Sequence, residues 1–244
     1  MPGALERKVR NKRSKSSLYF PASGITLAGE GCPIGTYKFA WNGEYFTDNT
    51  MGCFSSGSAT KNGTLSGGTI GTGYGQVGSG LQTTANNQYL TWVNALEDGL
   101  DNNTGTLWMS VKFDGAASAG ITIFESTQAT GNYMRFNIGT SENLIGTFMG
   151  NYTTKTASGT ATLDTAWHRV GFTWDTTVSG GDCLGVQIDS GGWECLSDTL
   201  VPMTGATTDI TIGENGQGGT YTETVWYDNV YILATFKAVD PYSP

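Results

Sequence analysis

Along most of the chain, hydrophobic and polar residues alternate with a period of two. In residues 106–114, "TLWMSVKFD", Leu107, Met109, Val111 and Phe113 alternate with Trp108, Ser110 and Lys112. An extended chain turns successive side chains to opposite faces, so this spacing predicts a strand with one face in a core. The runs "GITIFES", "NYMRFNIG" and "NLIGTFMG" follow with polar turns between them, and "TDITIGENG" and "ETVWYDNVYILATF" close the pattern. No segment has the spacing of a long amphipathic helix. About a dozen short strands of this kind predict an all-β fold, a two-sheet antiparallel jelly-roll sandwich.

The stretch "ATLDTAWHRVGFTWD", residues 161–175, carries the chain's single histidine. Strand parity puts His168, Val170, Phe172 and Trp174 on one face and Trp167, Arg169, Gly171 and Thr173 on the other. A catalytic imidazole needs a nucleophile or carboxylate partner and access for substrate. A histidine on an apolar strand face needs only hydrogen-bond partners, and that structural role is the expected one. With one histidine in the chain, a three-histidine zinc site is excluded.

Composition agrees with the pattern. The 36 glycines and a charged fraction of 14% favour short strands and tight turns, while 38% hydrophobic residues supply a core. The segment 55–73, rich in Gly, Ser and Thr, reads as a loop or a run of weakly paired strands.

Charge divides the chain. Residues 1–16 hold Arg7, Lys8, Arg10, Lys12, Arg13 and Lys15 against Glu6 alone, whereas residues 17–244 hold seven basic and 20 acidic residues. The predicted organisation is a basic arm, 1–16, ahead of a single acidic sandwich domain, 17–244. The acidic body disfavours nucleic acid except through the arm. The arm's cations are candidates for anchoring to an acidic partner surface or a neighbouring subunit. No apolar run is long enough for a membrane span, and no apolar run follows the basic residues as in a secretory signal, so synthesis in a cytosol without export by that route is expected.

Cys32, Cys53, Cys183 and Cys195 match no zinc spacing. In "CLGVQIDSGGWEC", a tight turn at 189–192 would pair Ile188 with Trp193 and Val186 with Cys195, sending Cys183 and Cys195 to opposite faces. Free or buried thiols are the favoured expectation.

The segment from Gly159 to Gly192 resembles the central signature of laminin-G-like, concanavalin A-like jelly-roll domains, with Trp167, His168, Val170, Trp174 and Asp175 followed by Ile188 and Asp189 at a hairpin turn. Upstream, Gly78, Gly80, Leu81, Tyr89 and Leu90 are similar to the family's preceding strand pair, and downstream Ile212, Gly213, Asp228, Val230 and Ile232 resemble its closing strands. The resemblance covers about residues 74–236 and departs at the turn, which reads Asp-Ser-Gly-Gly. It implies a module that binds glycans or proteins, sometimes with calcium. Oxygens for such an ion are available at Asp98, Asp101, Asn102, Asp189, Glu214 and Asn215, without defining a site. No other cofactor is expected.

Glycan-cleaving relatives of that fold need paired carboxylates at fixed spacing on one strand. Glu97, Asp98 and Asp101, Glu194 and Asp198, and Glu44 and Asp48 all fail that spacing. The trio His168, Tyr133 and Arg135 is conceivable for a lyase, yet nothing in its spacing marks it out. "GTIGTGYGQVGSG" lacks the lysine and following helix of a phosphate loop. A non-enzymatic protein is therefore expected.

Sugar binding uses exposed aromatic rings beside polar loops. Tyr152, Trp193 and Tyr221 are the candidates, with Trp193 drawn toward the core by its hairpin register. The expected function is a structural and binding module anchored through residues 1–20, of the kind a bacteriophage virion uses as a capsid decoration or tail fibre, possible surface glycans being its ligands. A carbohydrate-binding adhesin module of a secreted bacterial protein, and a polysaccharide hydrolase or lyase, are the alternatives.

Overall fold

The structure, a computed structural model, describes residues 26–27, 32–34, 37–43, 49–54, 59–76, 78–93, 103–117, 119–129, 131–204, 209–214 and 223–241. The basic arm lies outside the described residues, as do Tyr221, Asp98, Asp101, Asn102 and Asn215. Among the described residues every regular element is a strand. Apart from a small ribbon of β1 (Thr26–Leu27) and β2 (Pro33–Ile34), the strands form two antiparallel sheets.

The ten-stranded sheet contains β3 (Phe39–Trp41), β4 (Met51–Phe54), β5 (Ala59–Asn62), β7 (Thr69–Thr72), β8 (Ser79–Thr83), β10 (Thr104–Phe113), β15 (His168–Asp175), β16 (Ser179–Ile188), β17 (Glu194–Thr199) and β19 (Val225–Leu233). The seven-stranded sheet runs β14 (Thr153–Thr162), β13 (Asn143–Gly150), β12 (Asn132–Ile138), β11 (Thr122–Ala129), β18 (Asp209–Glu214), β9 (Gln88–Trp92) and β6 (Thr64–Ser66). The described part of segment 55–73 is thus three short paired strands, β5 to β7, because even Gly-rich chain is ordered when a neighbouring strand accepts its hydrogen bonds.

The inner faces of the two sheets meet in one core. Leu107, Met109, Val111 and Phe113 from β10 lie fully buried beside Val170, Phe172 and Trp174 from β15, as their alternation predicted. Phe136 of the opposite sheet stacks on Phe172 with ring centroids 5.5 Å apart. Burying a large apolar side chain is worth on the order of 2 kcal/mol, so this interleaved set dominates the stability of the sandwich.

The outer face of the ten-stranded sheet is covered too. After β19 the chain doubles back, and residues 235–240 cross β10 and β15. Trp108 Nε1 donates to the Ala238 carbonyl (2.9 Å), Ala238 N to Thr106 Oγ1 (3.0 Å) and Lys237 N to Thr173 Oγ1 (2.8 Å). Trp108 and Ser110, on the polar side of the predicted alternation, are therefore only 2% and 1% exposed.

Two sequence expectations need correction here. The β16–β17 hairpin pairs Val186 with Glu194 and Gly185 with Cys195, one residue off the expected register. Asp189 takes a left-handed φ of 51°, and Gln187 caps the turn by donating to the Gly191 carbonyl, so the connection runs over 189–193 and not 189–192. Trp193 then lies on the outer face, half-buried, with its ring 5.3 Å from that of Trp108. Gly171 makes room for both indoles, since a Cβ there would sit 2.7 Å from Trp108 and 2.9 Å from Trp193.

The second correction concerns sulfur. Cys32 and Cys53 form a disulfide, with Cα atoms 5.7 Å apart, beside Tyr37, Ala40 and Tyr231. Only Cys183 and Cys195 are free, the first in the core and the second half-buried. The 21-residue separation of the bridged pair carries no register information, so the pairing became visible only in the folded chain.

Candidate functional site

His168 begins β15, at the mouth of the turn between β16 and β17. Its Nδ1 lies 2.9 Å from Asp189 Oδ2. Its Nε2 lies 3.1 Å from both the backbone nitrogen and the Oδ1 of Asp164. Asp189 is itself engaged on its other oxygen, which accepts from the Arg169 backbone N–H at 2.8 Å. A hydrogen bond from the Ala166 backbone N–H, before any other cause, holds the Asp164 carboxyl below the usual carboxylate range. Two acids do converge on the imidazole, but the ring is 90% buried and both nitrogens are occupied. The group clamps three segments of chain together. It offers no nitrogen to a substrate, and Asp189 offers no unengaged oxygen to an ion.

Arg169, on the opposite face, anchors the returning C-terminal segment. Its Nε and Nη2 hold Asp240 at 2.9–3.0 Å, and Nη1 donates to the Asn229 carbonyl at 2.6 Å. Tyr133 and Arg135, which share no site with His168, are in the other sheet.

The outer face of that seven-stranded sheet is different in kind. The alternation in "NYMRFNIG" sends Met134, Phe136 and Ile138 into the core and leaves Tyr133, Arg135 and Asn137 outward and half-buried. Strand pairing sets Tyr133 beside Met149 and Thr154, Arg135 beside Thr147 and Thr156, and Asn137 beside Ile145 and Ser158. The result is a surface on which apolar side chains and hydroxyl or amide groups alternate. Exposure grades across it: Thr211 and Glu125 are buried, Arg135 and Thr147 intermediate, Thr156 exposed.

Arg135 is fixed on that surface. Nε and Nη2 contact Glu125 Oε2 at 2.8 and 2.7 Å, and the guanidinium carbon lies 4.7 Å from the Tyr133 ring centroid. Glu125 is directly opposite Arg135 in the ladder, which is why the pair forms. The remaining nitrogen, Nη1, makes no hydrogen bond within the described residues. Held on one edge by a carboxylate and on one face by a ring, the guanidinium presents its other edge in a set orientation.

Tyr152 lies beside the start of β12. It occupies the two-residue turn between β13 and β14, where Asn151 and Tyr152 have φ of 45° and 64°. This turn type requires positive φ at both positions and favours glycine at the second. A bulky residue there is strained by about 1–3 kcal/mol. The turn is secured from β12, because Asn132 Oδ1 accepts from the Asn151 N–H (2.8 Å) and the Tyr152 N–H donates to the Gly131 carbonyl (2.9 Å). The Tyr152 ring lies over Gly131, whose φ is 87° and whose Cβ, if present, would be 2.6 Å from the ring. Gly131 immediately precedes β12, so the 71%-exposed Tyr152 ring stands beside the start of the strand from which Tyr133, Arg135 and Asn137 turn outward.

Of the aromatic residues expected to meet a ligand, the structure therefore presents Tyr152 and places Trp193 against Trp108, away from it. The companions of Tyr152 were readable only as outward positions of an amphipathic strand. Their assembly with Thr147, Met149 and Thr156 depends on pairing between strands. Among the described residues no group of three or more His, Cys, Asp or Glu side chains is placed to hold a metal ion.

No protein-family model matches the chain, and no curated protein sequence matches it. Solved structures do. The chain is similar to the receptor binding domain of botulinum neurotoxin C/D mosaic serotype, at 10% identity and a TM-score of 0.60, over 83% of this chain and 49% of that one. It is similar to the binding domain of botulinum neurotoxin DC solved in complex with SialylT, at 12% identity and a TM-score of 0.59, over 84% and 49%. The binding domain of the same neurotoxin solved with rat synaptotagmin II matches at 15% identity and a TM-score of 0.58, over 84% and 49%. The chain spans about half the length of these proteins. At such identities the likeness is one of fold: an all-β, two-sheet sandwich of the kind found in receptor-binding domains.

Proposed function

We propose that this chain is a non-enzymatic recognition module, a sandwich of laminin-G-like, concanavalin A-like type that binds a surface glycan on the outer face of β12 to β14. The observation that carries the reading is Tyr152, a large ring kept exposed at a backbone position that costs stability. Strain of this sort persists where the presented side chain has a task. Tyr133, Met149 and Ile145 give apolar contact for sugar faces, and Asn137, Thr147 and Thr156 give hydrogen bonds. The engagement of both His168 nitrogens supports a binding role over a catalytic one. The complexes formed by the similar binding domains, one with SialylT and one with synaptotagmin II, support recognition of a glycan or protein receptor. The module needs no cofactor in this reading.

The basic arm, residues 1–16, is the anchor to a larger assembly, and a virion surface is the setting proposed for it. The disulfide favours a second setting, a secreted bacterial adhesin, because such bonds persist in oxidising surroundings. Deleting residues 1–16 separates the two: loss of incorporation into a particle by a folded domain supports the first. For the binding site, the full chain is applied to a glycan array alongside Tyr152→Gly. Binding by the parent and loss in the variant is the expected result, and equal binding by both sinks the assignment.

A further inference from the structure

Given that outer face as the binding site, we propose that its ligand is an uncharged, hydroxyl-rich oligosaccharide lying along β12, and not a sialylated, sulfated or phosphorylated one. The inference rests on where positive charge is placed. From residue 17 onward the chain has only seven basic residues, and four of them, Arg135, Lys155, Arg169 and Lys237, are held against carboxylates. Of the other three, Lys61 and Lys112 belong to the ten-stranded sheet and Lys38 immediately precedes its strand β3.

On the strands of the seven-stranded sheet only Arg135 and Lys155 are basic. Lys155 alternates away from Thr154 and Thr156 and pairs with Asp198 of the opposite sheet. Among the described residues Arg135 is thus the one cation of the proposed surface, and the carboxylate of Glu125 already neutralises it. An anionic sugar would bring a charge out of water toward a net-neutral pair, on a body with 13 more acidic than basic residues.

A neutral sugar makes no such demand. The open Nη1 edge of Arg135 donates to hydroxyl oxygens, the Asn137 amide and the Thr147 and Thr156 hydroxyls bond ring substituents, and the Tyr152 and Tyr133 rings cover C–H faces. From Tyr133 to Asn137 the outward row is about 13 Å long at the rise of a strand, and the Tyr152 ring over Gly131 lies beyond its first member, which suits an extended oligosaccharide better than a single residue.

The test uses the full chain on an array holding neutral glucans, galactans and mannans together with sialylated and sulfated analogues. Hits are then titrated in solution between about 0.01 and 1 M salt. Neutral members should bind, with affinity changing less than about twofold over that range, and acidic analogues of the same backbone should bind about tenfold more weakly or worse. Thr156→Lys, which adds a cation on exposed β14, level with Arg135 across the face, without disturbing a buried group, should bring the acidic analogues to parity. Preference of the parent for acidic members, with salt-sensitive affinity that Tyr152→Gly abolishes, overturns the neutral assignment and leaves the glycan site standing. Absence of any array binding, or binding indifferent to Tyr152→Gly, overturns the site itself.

Discussion

The guanidinium of Arg169 grips the carboxylate of Asp240, 71 residues further along, with three N–O contacts of 2.9–3.0 Å. Both side chains are about nine-tenths buried. The pair pins residues 235–240 across the outer face of the ten-stranded sheet and seals Trp108 beneath them.

Removing one partner of such a pair leaves an uncompensated buried charge. Arg169→Ala should destabilise the fold by about 3 kcal/mol. The double variant Arg169→Met with Asp240→Leu should recover most of that loss, because an apolar pair of similar volume has no charge to leave stranded. Urea unfolding curves of the two variants decide it. Equal losses would show that packing of the strap, not the ion pair, is what matters.

Tyr152→Gly should raise stability while removing ligand binding. Glycine meets no steric penalty at φ of 64°, and the gain is about 1 kcal/mol. Gly131→Ala should do the reverse, since its Cβ would meet the Tyr152 ring at 2.6 Å on a backbone with φ of 87°. Thermal unfolding of both variants, compared with the parent, measures the opposing signs.

His168→Ala should cost about 1–3 kcal/mol and leave ligand affinity unchanged. The loss arises from the hydrogen bonds that the nine-tenths buried imidazole makes with the Asp189 carboxylate and the Asp164 backbone N–H. Unfolding curves and a binding titration on one preparation separate the two effects. A variant that folds as well as the parent but loses an activity would restore the catalytic reading.

Thiol titration of the unfolded, unreduced chain should find two reactive groups, Cys183 and Cys195. Cys32→Ser with Cys53→Ser should lower stability by about 3 kcal/mol, the loop-closure value for a bridge of this separation. Four reactive thiols would refute the bridge.

Burial pushes the Tyr37 phenol up from 10.0 to about 12. A group whose pKa is raised on folding contributes stability that is intact below its unfolded value and is lost as the pH rises through the folded one. Unfolding midpoints should therefore hold up to about pH 10 and fall between there and pH 12, with a late tyrosinate absorbance step. Lys237, raised by its hydrogen bond with Asp182, acts in the same direction. At the acid end, Asp164, Asp182 and Asp198 have lowered pKa values, so their contribution is present above the ordinary carboxylate range and disappears as the pH drops below it. Tyr37→Phe should remove the phenol's share of the alkaline loss.

By itself, the sequence determined the strands of the core and which of their residues face inward. Alternation is a local property, and a side chain's face follows from its neighbours at i±2 whatever the rest of the chain does. That is why Leu107, Met109, Val111 and Phe113, and Val170, Phe172 and Trp174 with them, were legible. Tyr152 was legible as a loop aromatic for the same local reason. Only the tertiary structure decided what lies across from each face. It laid residues 235–240 over Trp108, joined Cys32 to Cys53, shifted the β16–β17 pairing by one residue, closed two carboxylates on His168 and set the Tyr152 ring over Gly131. Those are contacts between segments distant in sequence or offset by a turn, and their energies depend on register and approach, which no local spacing encodes.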